Sequence, residues 1–463
     1  MNLSIYTKEF KRNIQLAYPI VLGMLGHNLI SLVDNIMVGH LGATQLAAVS
    51  LANSFVFIAL SVGIGFSTAI TPIVAQNDAR NDVDGVRNTF HHGLILCTTL
   101  GILLFSLIYF GKGAINYMKQ PAEVVEMAKP FLDVVAFSLI PVVMFQGYKQ
   151  FSDGMSLTKY SMYAIIISNI IHFFCNYTLI NGIWFFPEMG VMGAAYGTLI
   201  SRVFLVLYMH IQLKNNHKLS TYFTGFSFKK VQTVVFKKIC AIGLPSSLQM
   251  FFEVALFVSA VWLCGMIGKN EQAANQIALN LASATFMFAS GLSVTAMIRV
   301  GNQKGLEDYS YLKTVARSIF LLTLLLEVVF AIFFILMNTV LPYLFLDMTS
   351  AHTLVENTQV FAIASSLLVV AAVFQLSDGV QAVVLGALRG LQDVKIPAII
   401  AFIAYWIVGF PISVYLGLYT KLGAVGVWIG LSFGLTVAAV LLYFRFKHLT
   451  NKYIVLQKSK ELN

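Results

Sequence analysis

Charge is scarce in this chain. Asp, Glu, Lys and Arg make up 11% of its 463 residues, against 58% hydrophobic. A soluble domain carries about 25% charged residues, so a globule surrounded by water is excluded. Strict polar–apolar alternation is lacking as well. The apolar stretches are continuous, recur along the whole length and reach about 20 residues, the length of a helix that crosses a bilayer. The same pattern excludes a transmembrane β-barrel. Cysteine is sparse: Cys97, Cys175, Cys240 and Cys264 all fall in apolar segments, with no metal-ligand spacing and no sign of a disulfide framework. No glycine-rich loop runs into Lys-Ser or Lys-Thr, so no site for nucleotide phosphates is expected. No nucleophile stands beside a base, and no His/Cys cluster suggests a metal. The reading is therefore not an enzyme, with no cofactor, and with an ion gradient rather than ATP as its source of energy.

What is present is an all-α polytopic membrane protein. Twelve spans are expected, at 14–37, 46–75, 90–110, 130–150, 160–182, 191–213, 239–264, 273–298, 316–340, 356–386, 397–418 and 423–444. The tenth is long for one crossing, so it is expected to bend or to extend beyond the bilayer. Lys8, Lys11 and Arg12 precede the first span with no small-residue cleavage pattern after it, so that span reads as retained rather than as a signal peptide. With both termini placed in the cytoplasm, the cytoplasmic segments hold 24 of the 30 basic residues. This bias sets the orientation and accounts for the net charge of +10 without nucleic acid.

The chain also repeats itself. A shift of 226 residues lays Phe10-Lys11-Arg12 on Phe236-Lys237-Lys238, Pro19 on Pro245, Gly39 on Gly265, Gly42 on Gly268 and Gly65 on Gly291; a shift of 233 relates Gly190 and Gly193 to Gly423 and Gly426. Each repeat holds an even number of spans. The expected architecture is two pseudo-symmetric six-helix bundles, residues 1–213 and 239–463, joined by a basic cytoplasmic linker, 214–238. Such a plan suits a transporter with its site between the halves. The linker carries Lys214, Lys218, Lys229, Lys230, Lys237 and Lys238 among Tyr222, Phe223, Phe226 and Phe228, and is expected to lie on anionic membrane lipid.

Acids inside apolar runs are expensive and usually have a partner or a function. Glu253 shares a helical face with Gln249 and Ser246. Asp378 lies between Gln375 and Gln381. Asp34 sits among Asn28 and Asn35 in the first span. Together these acids suggest a site for cations. The fifth span offers Asn169, His172 and Asn176, polar groups that need partners in hydrocarbon, either as helix–helix contacts or by reaching Asp34. Gln276 and Asn280 are four apart in the eighth span, either as helix–helix contacts or as part of the site. Glu327 interrupts an apolar run with no polar companion at helical spacing, which leaves open a protonated acid facing a neighbour or a role in transport. Asp133 reads as a local ion pair with Lys129, four residues before it. Arg389 is expected at the cytoplasmic end of its span.

Taken together, Asp34-x-x-Met37-Val38-Gly39, Pro245 through Phe252-Phe-Glu253-Val, Gln276-x-x-x-Asn280 and Asp378-x-x-Gln381 running into Gly386-x-Leu-Arg389-Gly390 resemble the multidrug and toxic compound extrusion (MATE) family, NorM branch, over nearly the whole chain. The resemblance implies an antiporter of the bacterial inner membrane that exports small organic cations in exchange for Na+ or H+, functional as a monomer. It implies that Glu253 and Asp378 form the cation site of the C-terminal half, a candidate Na+ site, and that Asp34 is the acid of the N-terminal half with Asn176 nearby. Two departures, His172 and Phe374, remove oxygen ligands that relatives often have. The alternative is a lipid-linked oligosaccharide flippase of a related fold. That function wants a cationic cavity for pyrophosphate, whereas the charges within the spans are acidic apart from Arg202.

Overall fold

The computed structural model describes residues 4–118, 120–183, 186–224, 232–346 and 354–461. Twelve helices among them are long and apolar enough to cross a membrane: α1 Phe10–Gly39, α2 Thr44–Ala79, α3 Val83–Tyr117, α4 Ala122–Gly154, α5 Thr158–Asn181, α6 Val191–Asn215, α7 Thr233–Ile267, α8 Lys269–Gly305, α9 Tyr309–Met337, α10 Leu354–Gly390, α11 Lys395–Leu418 and α12 Gly423–Ser459. No strand occurs among the described residues. Large apolar side chains remain exposed on the outer faces, among them Leu107, Phe110, Trp262 and Leu336 at 69–83%. Water would penalise such a surface. Hydrocarbon does not, provided the backbone bonds close within each helix.

Several helices outrun the expected spans at both ends. α10 is one continuous helix of 37 residues, about 55 Å long at 1.5 Å per residue, so it extends well past a core of roughly 30 Å. Its length reflects polar end residues that continue the helix outside the lipid.

The contacts divide the chain into two compact units, Tyr18–Ser247 and Met1–Ala17 with Leu248–Asn463; they are called here the first and second unit. The boundaries therefore fall at 17 and 247 rather than at the 213 and 239 expected. The reason is local. Ala17 is buried in a core with Leu292 and Ala296, and Asn13 donates to Ser318 Oγ at 3.1 Å. Conversely, Ser247 donates to the carbonyl of Val62 at 3.0 Å, and a Cβ on Gly243 would stand 2.7 Å from the Phe66 ring. Helices α1 and α7 thus each begin in one unit and end in the other.

In the first unit α3 and α4 pack together and α5 pairs with α6, around a core that includes Phe90, Phe151 and Tyr148. In the second, α10 is central and packs on α8, α9 and α12, with Trp428 and Phe374 in contact at 5.1 Å between centroids. The repeat extends to the backbone. Asn81 and Glu307, 226 residues apart, have φ of 57° and 59°. The next residues, Asp82 and Asp308, each cap a helix by accepting from the third amide on, Gly85 and Tyr311, as N-caps do.

Two local expectations are corrected. Asp133 pairs with Lys112 at 2.7 Å, brought from the end of α3 by the fold, rather than with Lys129. In the linker, Tyr222 is buried and stacks edge-on against Phe151, while Phe223 meets Phe90. Arg87 donates to the Thr221 carbonyl at 3.1 Å. These aromatic residues turn into the first unit instead of lying on lipid. Lys237 and Lys238 belong to helix α7. Phe226, Phe228, Lys229 and Lys230 lie outside the described residues.

Candidate functional site

Polar side chains in the spans gather into one cluster in each unit. In the first unit, α1 brings Asp34 and α5 brings His172 and Asn176, one helical turn apart. Asn176 donates its amide to Asp34 Oδ1 at 2.7 Å, the partnership expected from the sequence. His172 Nε2 lies 3.1 Å from the Asn176 amide nitrogen, 3.2 Å from Thr198 Oγ1 and 3.5 Å from Asp34 Oδ1. Asn169 turns elsewhere and donates to the Gly26 carbonyl at 2.7 Å. Asn176 fits because α6 offers a glycine: a Cβ on Gly197 would stand 1.8 Å from Asn176 Oδ1. Arg202, also on α6, donates to Ser138 Oγ at 2.7 Å and lies within electrostatic reach of Asp34. One carboxyl faces one guanidinium.

The second unit carries the larger cluster. On α7, Gln249 donates to Glu253 Oε2 at 2.8 Å. The Gln249 carbonyl oxygen in turn accepts from Arg389 on α10. Arg389, in the last turn of α10, thus joins the cluster from the end of its helix. Asp378, also on α10, is 5% exposed, and both Glu253 and Glu327 act on it electrostatically. Glu327 comes from α9 and lies against Gly379, where a Cβ would be 2.7 Å from its Cγ and 2.8–2.9 Å from its carboxyl group. Tyr405 of α11 is fully buried and lies within electrostatic reach of Glu253, Asp378 and Arg389. It sits in a π-helical stretch, Ile403–Gly409, a local widening that recurs at functional positions. The cluster sets three carboxyls against one guanidinium.

Several of its polar atoms have no hydrogen-bond partner: Asp378 Oδ1, Glu327 Oε2, the Tyr405 hydroxyl and both amide atoms of Gln381. Buried polar groups are normally paired, so this concentration makes the polar interior of α9, α10 and α11 the candidate site of the second unit. Thr285 of α8 donates to Gln375 Oε1 at 2.9 Å. Gln276 and Asn280 are both exposed and bond to each other at 3.2 Å. Among the described residues, no three His, Cys, Asp or Glu side chains converge closely enough to hold a metal ion between them.

The MatE family model matches residues 19–178 and 245–415, once on each repeat. The chain belongs to the MatE family. Among curated MatE relatives it is 32% identical over 438 residues to the probable multidrug resistance protein NorM of Agrobacterium fabrum, covering 95% of this chain and 93% of that protein. It is 30% identical to the multidrug resistance protein NorM of Photobacterium profundum, covering 96% of each. Among solved structures, the eukaryotic MATE transporter AtDTX14 superposes with a TM-score of 0.86 at 21% identity, over 97% of this chain and 99% of that one, a likeness of fold. The sequence motifs had carried the MatE resemblance and the acids Asp34, Glu253 and Asp378. Arg202 stood out in the sequence as the one base within a span, but the roles of Arg389 and Tyr405 had no sequence signal: a basic residue near a span end and one tyrosine among many aromatics look ordinary.

Proposed function

We propose that this chain is a secondary active antiporter of the bacterial cytoplasmic membrane that exports small organic cations in exchange for H+ or Na+ by alternating access. The observation that carries the reading is the charge imbalance of the second unit: Glu253 and Glu327 both act on Asp378, and of the three acids Glu253 has Arg389 within electrostatic reach. Excess negative charge in hydrocarbon calls for a cation, whether a proton, a metal ion or an organic substrate. One site that takes either of two cations, each favouring a different conformation, couples their movements. Relatives that bear the name multidrug resistance protein NorM over nearly the full length support organic substrates.

Glu253 and Asp378 hold the exchange cation in this reading, with Gln249 orienting Glu253. Asp34 and Asn176 form the corresponding polar pair of the first unit. Both termini lie in the cytoplasm, which is supported by the crowding of basic residues into those segments, and the monomer is the working unit in a lipid bilayer. The test is efflux of a fluorescent organic cation from proteoliposomes under Na+ and pH gradients imposed separately. Uphill efflux driven by one gradient supports the reading, and Glu253→Gln should reduce it at least tenfold. Wild-type rates in Glu253→Gln, or no efflux under either gradient, would reject it; the second outcome would bring the flippase alternative forward.

A further inference from the structure

Glu327 is the acid that neither the sequence motifs nor the proposed pair of cation ligands uses. It is 1% exposed, and its Oε2 has no hydrogen-bond partner. Several cations on the helices packed around it are engaged elsewhere. On α8, Arg299 binds Glu9 at 2.6 Å and Lys304 binds the Leu391 carbonyl at 2.5 Å. On α10, Arg389 donates to Gln249. On α12, Arg445 binds Asp393 at 2.8 Å. On α9 itself, Arg317 lies ten residues earlier in the chain, about 15 Å along the helix. The ionisable group within electrostatic reach of Glu327 is Asp378, on which Glu253 acts as well.

A bare carboxylate buried without counter-charge is strongly disfavoured, which favours the neutral COOH form of this acid. Its place is held by close packing. Any side chain larger than hydrogen at position 379 would collide with the Glu327 carboxyl, which keeps it beside Asp378 on the next residue of α10.

We infer that Glu327 is a third exchanging carboxyl of the transport site, carrying a proton that leaves when an organic cation enters the cluster. The inference rests on the antiport reading and adds a residue and an ion to it. The step balances: the O–H bond of the Glu327 carboxyl breaks, the proton passes to water, and the carboxylate left behind is neutralised by the incoming cation. Its electrostatic contact with Asp378 links this proton to the ligands of the proposed cation site.

The experiment is proton release from purified protein in weakly buffered detergent on addition of a tetraphenylphosphonium salt, together with dye efflux from proteoliposomes. Glutamine imitates the neutral acid in shape, so Glu327→Gln should fold with wild-type melting behaviour while fewer protons are released per cation bound. Gradient-driven efflux should fall at least tenfold. Glu327→Asp, which keeps a carboxyl on a shorter stem, should regain release. Glu327→Met, apolar and of similar length, carries the same expectation as Glu327→Gln if that variant is not recovered folded. Unchanged proton release and efflux in either neutral variant would overturn the inference, because a purely structural acid is replaced by its neutral mimic without consequence. Wild-type efflux driven by Na+ with no proton released would overturn it too, yet leave the antiport reading intact. No wild-type efflux under any gradient would remove both.

Discussion

At the scale of single residues, the Asp34–Asn176 pair depends on an atom that is missing. The Asn176 side chain occupies space that α6 leaves open at Gly197. Gly197→Ala is therefore expected to push Asn176 off Asp34 and break their 2.7 Å bond. Replacing helical glycine by alanine normally stabilises a helix, by about 1 kcal/mol; here the clash should reverse that sign. Dye efflux by this variant should drop toward that of Asn176→Ala, and the double variant should lose no more than either single one. Additive losses would show that the two residues act separately. A second prediction concerns the two left-handed turn residues. Asn81 and Glu307 hold positive φ, a conformation glycine adopts freely and β-branched residues resist. Glu307→Gly should leave the melting temperature within a few degrees of wild type, whereas Glu307→Val should cost roughly 1–2 kcal/mol of stability and lower the melting temperature. Equal melting of the two variants would contradict the assignment.

At the scale of elements, the start of the chain is fastened to α8 and α9. Glu9 accepts from Arg299 at 2.6 Å and from Tyr311 at 2.8 Å, Arg299 also donates to Asn13 at 2.5 Å, and Ser318 donates to the Tyr6 carbonyl at 2.7 Å. Arg299 is 2% exposed, so Glu9→Gln leaves a buried guanidinium without its counter-charge, a change worth about 3 kcal/mol. The pH dependence has a definite sign. Burial pushes the Glu9 carboxyl up, but hydrogen bonds from Arg299 and Tyr311 and the Arg299 charge outweigh it, and the carboxyl ends below its ordinary range. A group whose folded value is depressed contributes its full stability above its unfolded value and loses it as pH falls through the folded one. Wild type should therefore melt above Glu9→Gln at neutral pH, and the two curves should approach each other in acid. A gap that widens in acid would contradict the clasp. None of this was legible in the sequence. Glu9 and Arg299 are 290 residues apart, and each reads locally as an unremarkable charge near a span end. Asp34 and Asn176 were easier to associate, because two polar groups in hydrocarbon have few alternatives to each other. Glu327 was visible as an anomaly, but its neighbour was not, because Gly379 shows only in three dimensions how closely α9 approaches α10.

At the scale of the whole molecule, the twelve spans were legible because hydrocarbon thickness sets a minimum run of apolar residues, a rule that acts on sequence directly. The repeat was legible because its Pro and Gly positions serve backbone geometry, which the two halves share down to the paired turns at Asn81 and Glu307. The unit boundaries were not, since α1 and α7 are each continuous helices whose two ends pack differently. An even number of spans predicts that reporters fused to either terminus read the same compartment. A periplasm-active reporter should be silent at both ends, and activity at only one would require an odd number of crossings. The clasp of Glu9 and Arg299 has a consequence for how the molecule is made. Ribosomes add about 5–20 residues per second, so the N-terminal turn leaves the tunnel roughly 15–60 s before the helices that will hold it exist. Throughout that interval Glu9 and Asn13 wait in water while seven further spans are inserted. The oldest part of the chain is thus anchored by some of its younger parts, and an affinity tag fused ahead of Ser4 would hang beside a joint that closes late in biogenesis.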